Sequence, residues 1–215
     1  MGSKRSMLDN GLGKLIRAEG PSHARFIDLF CGSGTVAWFA SEALELPVMG
    51  IDLQDFAAAL ARAVVARTES LSPRTFAEDW HAKALRSASA AGIWSEACAI
   101  EGITDICTRA DRARQLCPEA TELWPLTRAY GGHYYGARQA LLLDALRRNL
   151  PETSDQRNVA LACLIWTASR CAAAPGHTAQ PFKPSATAGK YIEIAWNRDP
   201  LDMVAEALSE IAPRH

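Results

Sequence analysis

The sequence predicts an α/β fold, helix-rich overall, in which two short strands flank one glycine turn and a long helical region follows. Three observations predict it. Residues 26–30, Phe-Ile-Asp-Leu-Phe, and residues 47–51, Pro-Val-Met-Gly-Ile, are short apolar runs with β-prone composition. Between them Cys31-Gly32-Ser33-Gly34 is a glycine turn that opens an apolar helical stretch at 35–44. From residue 73 to about 126 the pattern stays helical with almost no β-branched alternation, which a regular alternation of strands and helices does not produce. The expected division is therefore residues 1–70, carrying the strands, and residues 71–215, mainly helical.

Taken in order, Leu8, Leu12, Leu15 and Ile16 recur at helical spacing and predict an amphipathic helix to about Ala18, ended by Gly20-Pro21. The first strand carries Asp28 in its middle. A carboxylate in an apolar strand is costly to bury alone, so Asp28 is expected to meet a specific hydrogen-bonding partner. Glycine at 32 and 34 lets the backbone turn tightly and approach a ligand without Cβ obstruction. The helix that starts at Thr35 presents free N–H groups at its first turn. Asp52 ends the second strand, where a carboxylate can accept hydrogen bonds from both hydroxyls of an adenosine ribose. Strand, glycine turn, helix, strand and terminal acid together read as a seat for a nucleoside-containing cofactor.

Residues 56–66 predict an alanine-rich helix. In the helical region Glu78, Asp79, Lys83 and Arg86 read as a solvated face without chemistry. Residues 130–151 begin with an aromatic loop framed by Gly131, Gly132 and Gly136. The following helix has Leu141, Leu142, Ala145 and Leu146 on its apolar side and Gln139, Arg147 and Arg148 outside. Tyr134 and Tyr135 either pack in that hairpin or, with Arg138 nearby, stack on bases and contact phosphate. Residues 159–174 read as a buried helix, 190–196 as an ambiguous run, and 201–211 as a last amphipathic helix. His177, in a proline- and glycine-broken loop, has no nucleophile at identifiable spacing.

Composition bounds the function. The chain has 215 residues, a net charge of −1 and 48% hydrophobic residues. That balance is globular and lacks a domain-wide basic field for nucleic acid, leaving such contact to local patches or a partner. The six cysteines never fall as CxxC and have no histidine at metal-ligand spacing, so no metal site is expected and reduced thiols are. No apolar run reaches membrane-spanning length and the N-terminus has no leader-like apolar core, so the expectation is a soluble, cytoplasmic protein with no membrane partner.

Three separated segments together resemble the adenine-specific DNA methyltransferases of the Dam-like group. Gly2-Ser3-Lys4 occupies the place of that family's N-terminal Gly-Ser-Lys element. Asp28-Leu29-Phe30-Cys31-Gly32-Ser33-Gly34 is similar to motif I of S-adenosylmethionine-dependent methyltransferases, and Asp52 matches the acid ending the second strand. The run Tyr-Tyr-Gly-Ala-Arg-Gln-Ala at 134–140, with its helix through Arg147, resembles a downstream family segment, as does the loop at 175–181. The resemblance implies a partial Rossmann-like methyltransferase fold with a large helical insertion. It implies S-adenosylmethionine held by Gly2, Ser3, Lys4, Asp28, Phe30, Gly32, Gly34 and Asp52, and DNA as the partner, with Tyr134, Tyr135 and Arg138 on the DNA side.

The sequence departs from that family in its catalytic half. The family's Asp/Asn/Ser-Pro-Pro-Tyr/Phe motif, which holds the flipped adenine amine, has no counterpart, because no two prolines are adjacent anywhere. The third strand with its terminal acid is missing too. Cytosine-5 enzymes require Pro-Cys, and the chain has only Cys117-Pro118. Uracil-5 RNA enzymes carry a similar first motif late in the chain. The expectation is the N-terminal, cofactor-binding part of a split or truncated adenine N6 methyltransferase, with no catalytic residue of its own, completed by a subunit that carries the Pro-Pro-Tyr motif. A non-catalytic binding or regulatory module and an RNA methyltransferase are the alternatives.

Overall fold

The computed structural model describes residues 4–67, 69–176 and 179–214. Gly2 and Ser3 of the expected cofactor site, and His177, lie outside the described residues. In chain order the elements are α1 (Arg5–Met7), a π-helical turn (Leu8–Leu12), α2 (Gly13–Glu19), β1 (Phe26–Asp28), α3 (Thr35–Ala43), β2 (Val48–Gly50) and α4 (Asp55–Val65). There follow α5 (Pro73–Ser89), α6 (Trp94–Glu101), α7 (Ile106–Leu116), α8 (Pro125–Tyr130), α9 (Ala137–Arg148), α10 (Ser154–Cys171), α11 (Gly189–Trp196) and α12 (Pro200–Ile211). The described residues are helix-rich α/β, with one two-stranded parallel sheet.

The chain divides into two compact units, Met1–Ser72 with Glu152–Ala162 and Glu210–His215, and Pro73–Pro151 with Cys163–Ser209. The first unit is thus not contiguous in sequence. Part of the reason is Arg67, which is 4% exposed and donates hydrogen bonds to the carbonyls of Ile211, Ala212 and Arg214. Its guanidinium fork satisfies carbonyls that the end of α12 leaves without helical partners.

Within the first unit, β1 and β2 pair in parallel with Phe26 opposite Val48, Ile27 opposite Met49 and Asp28 opposite Gly50. Parallel partners in register point to the same face. Phe26 and Val48 pack on a cluster of Ile16, Val36, Ala40 and Leu44 from α2, α3 and the loop after it. The other face carries Ile27, Leu29, Met49 and Ile51, exposed by 44%, 60%, 48% and 43%. Residues 47–51 were expected as a short apolar strand. Instead β2 is three residues long and its outward face is bare, because helices cover only one side of the sheet. β1 likewise stops at Asp28 rather than Phe30: the Asp28 carboxylate accepts the Phe30 N–H at 3.3 Å and turns the chain away from the sheet. The N-terminal helix is interrupted where Gly11 takes φ +145°, so it runs as α1, a π turn and α2.

In the second unit α9 is the central helix, touched by α5, α6 and α8. Residues 139–146 are buried on every side, including Leu141, Leu142, Leu143 and Leu146. Gln139, expected outside, is 1% exposed. Its amide donates to the carbonyls of Ala195 at 2.9 Å and Arg198 at 2.8 Å, partners that helical periodicity on α9 alone does not reveal. The ambiguous run at 190–196 is helical, as α11, with Ile192, Ala195 and Trp196 in a small core with Ala110 and Ala173. Arg74–Glu78 and Lys83–Asp79 form exposed ion pairs along α5, in keeping with a solvated face.

Candidate cofactor site

The site is built at the carboxyl end of the two strands, where the chain leaves β1 into the glycine turn and leaves β2 at Asp52. Gly34 closes the turn with its N–H on the Cys31 carbonyl at 2.8 Å, and it stands at φ +76° as the residue before α3. A Cβ there would lie 2.9 Å from the Ala61 Cα, so Gly34 is required both by its backbone conformation and by the close approach of α4 to the turn. Gly32 differs. At φ +53° it also needs glycine, but a Cβ on it would meet nothing within 4 Å, so the space over the turn at this point is open.

Asp52 links the two strand ends. Its Oδ2 accepts the Gly32 N–H at 2.9 Å and its Oδ1 accepts the Gln54 N–H at 3.0 Å. These backbone donors, that of Gln54 foremost, hold its carboxyl below the ordinary value of 3.8, so it is ionised at neutral pH. Each oxygen keeps a further lone pair for an outside donor. Lys4 joins from the N-terminus: its ammonium donates to the Phe30 carbonyl at 3.2 Å. Lys4 also lies near enough to Asp52 to favour its charged form.

Asp28 has one oxygen on the Phe30 N–H, while its Oδ2 is buried without a hydrogen-bond partner among the described residues. A buried carboxylate oxygen left unpaired is unfavourable, so a donor reaching it would be stabilising. The sequence expectation of a specific partner for Asp28 is thus met on one oxygen and open on the other. Phe30 is 75% exposed and Leu53 is 96% exposed, so apolar side chains follow both strand ends. Lys4, Asp28, Phe30, Gly32, Gly34 and Asp52 are brought together at one turn.

The one thiol at the turn is not poised as a nucleophile. The Cys31 thiol is buried, and desolvation followed by the charges of Asp28 and Asp52 pushes its pKa up, which keeps it protonated. Among the described residues no group of three or more His, Cys, Asp and Glu is arranged to hold a metal ion. No described helix is long and apolar enough to cross a membrane.

The tyrosine loop stands in the second unit. Tyr134 and Tyr135 are half-buried, and their hydroxyls donate to the carbonyls of Ala179 and Ala168, each at 3.2 Å. Arg138 pairs with Asp199 at 3.0 Å and Glu101 at 3.5 Å, and its guanidinium lies 5.7 Å from the centre of the Trp94 ring. Two carboxylates therefore already answer its charge, and its side chain is 24% exposed. Sequence reading missed Tyr130, at the end of α8, whose ring meets Tyr134 edge-on at 5.6 Å. The signal was present as a third tyrosine beside the Gly131-Gly132 pair. Comparison with family models, with curated proteins and with solved structures finds no match for this chain.

Proposed function

We propose that this chain is the S-adenosylmethionine-binding part of a DNA adenine N6-methyltransferase with a partial Rossmann-like methyltransferase fold, completed by a second polypeptide. The observation that carries the reading is the turn after β1. An unpartnered buried oxygen on Asp28, open space over Gly32 and an ionised Asp52 converge there, within reach of Lys4. These groups fit the cofactor's chemistry. Carboxylate oxygens accept from its ammonium group and ribose hydroxyls, and a glycine without Cβ permits contact with the backbone. The cofactor supplies an electrophilic methyl group when bound; this chain's residues orient and hold it, with Phe30 and Leu53 as apolar flanks for a base.

The acceptor chemistry lies outside these residues, since no Pro-Pro-Tyr motif occurs among them. The bare sheet face at Ile27, Leu29, Met49 and Ile51 and the unpaired outer edges of β1 and β2 suit a partner that adds strands and a covering layer.

Calorimetry with S-adenosylmethionine is the direct test. Saturable binding is expected, weakened roughly tenfold in Asp52→Ala by loss of charge-assisted hydrogen bonds. No binding, or unchanged affinity in that variant, removes the cofactor reading. Tritiated-methyl transfer then separates the rest. The chain alone is expected to methylate neither DNA nor RNA. Methylation of adenine in DNA by the chain alone would refute the split arrangement, and transfer onto RNA would make RNA the substrate.

A further inference from the structure

The second unit contains a cavity of about 500 Å³ beside the tyrosine loop, a volume in the range of small-molecule sites. Its aromatic walls are Tyr130, Tyr134 and Tyr135, with Leu126, Ser169 and Ala172 among the other lining residues. The loop that carries the tyrosines is held firmly. Gly131 sits so close to Cys117 that a Cβ would lie 2.4 Å from the sulfur, and Gly132 at φ +74° sits as close to Arg114. The Gly132 carbonyl accepts from the Arg114 side chain, and its N–H donates to the Tyr135 carbonyl. Tyr130 and Tyr134 stand at 80° to each other, so a flat ring stacked on one meets the other edge-on, both favourable arrangements.

The chemistry of the lining selects the occupant. No described lining residue carries a charge, which disfavours a free phosphate. The Tyr134 and Tyr135 hydroxyls have already committed their protons to backbone carbonyls. What they keep are acceptor lone pairs, which match a ring bearing an amine. We infer that this cavity binds a single unstacked amine-bearing nucleobase, adenine in the first place, stacked on one of the Tyr130 and Tyr134 rings and edge-on to the other. This deepens the function proposed above by giving the helical unit the recognition of the acceptor base, and it rests on that reading for its role, though not for its measurement.

The test uses the full chain without methyl donor and a single-stranded DNA oligonucleotide carrying one 2-aminopurine, whose fluorescence is quenched by stacking. Saturable quenching is expected, with free adenosine competing at least tenfold better than thymidine. Tyr130→Leu keeps bulk and removes the aromatic face; it should weaken binding at least tenfold, while Tyr130→Phe retains it. Tyr134→Phe keeps the ring and removes an acceptor, so quenching persists and the preference for adenosine over thymidine shrinks. Absence of quenching, wild-type affinity in Tyr130→Leu, or displacement of the oligonucleotide by choline would overturn the inference. Melting temperatures of the variants within a few degrees of wild type show that binding, not folding, is read. Asp52→Ala should leave oligonucleotide binding intact, and Tyr130→Leu should leave S-adenosylmethionine binding intact, so each proposal can fail without the other.

Discussion

Gly32 and Gly34 are two residues apart in one turn, yet they answer to different demands. Gly34 is fixed by packing: any side chain meets the backbone of α4 at Ala61 and must also adopt φ +76°. Gly34→Ala should lower stability by more than 2 kcal/mol or so, the left-handed strain alone accounting for roughly 1–2 kcal/mol. Gly32→Ala meets open space at φ +53°, so its cost should stay within about 1–2 kcal/mol of strain, while cofactor affinity falls because the Cβ occupies the space over the turn. Chemical denaturation and calorimetry on the same two variants separate these effects. Equal destabilisation would show that packing does not distinguish the two glycines. The glycine spacing was legible in the sequence. Which glycine serves the fold was not, because Ala61 arrives from a later helix.

The Asp52 carboxylate gives the same turn a pH signature. Its folded pKa lies below the ordinary 3.8, so the native state binds this proton less readily than the unfolded chain does. By linkage its contribution is fully present above the ordinary value and is lost as pH falls through the depressed folded value. The Gly32 amide, which donates to this carboxylate, should therefore titrate with a midpoint below 3.8. An NMR titration with a midpoint at or above 3.8 would show that the backbone bonds to Asp52 are absent in solution.

At the scale of elements, the connection between α8 and α9 hangs on one buried acid. Asp144, in α9, accepts the Leu126 and Thr127 N–H groups at 3.1 and 2.8 Å and the Thr127 hydroxyl at 2.8 Å. It thus caps the first turn of α8, whose own N-terminus offers no side-chain cap. Burial pushes the Asp144 carboxyl up, and these hydrogen bonds oppose the shift. Asp144→Ala should cost about 2–3 kcal/mol, because it strands two backbone donors and a hydroxyl. A urea-denaturation midpoint equal to wild type would contradict the cap. Since α8 ends at Tyr130, the same change should loosen the tyrosine loop. Periodicity made the α9 helix legible, but not the burial of Gln139 and Asp144. A polar residue on a helix reads as outward unless the partners that satisfy it, here α8 and the chain around Ala195 and Arg198, are known.

At the scale of the whole molecule, the sheet is the feature whose surroundings are least complete. Two strands of three residues, with both outer edges unpaired among the described residues and one bare apolar face, lie below what an isolated sheet needs for independent stability. Here α2, α3 and α4 support only the covered face. The unpaired edge was legible from the sequence, since only two strand signals occur. The bare face was not, because apolar alternation does not say which side lacks a layer. Ile27, Leu29, Met49 and Ile51 form an apolar surface next to open strand edges, a combination that drives association. The chain alone should therefore associate as its concentration rises, seen by sedimentation velocity. A double substitution, Ile27→Lys with Met49→Glu, places opposite charges at paired positions on that face. Because both side chains are already exposed, stability should shift by no more than about 0.5 kcal/mol each. The variant should stay monomeric across the same concentration range. Unaltered self-association would move the contact elsewhere on the molecule, whereas large destabilisation would mean that this face is already covered by the chain itself.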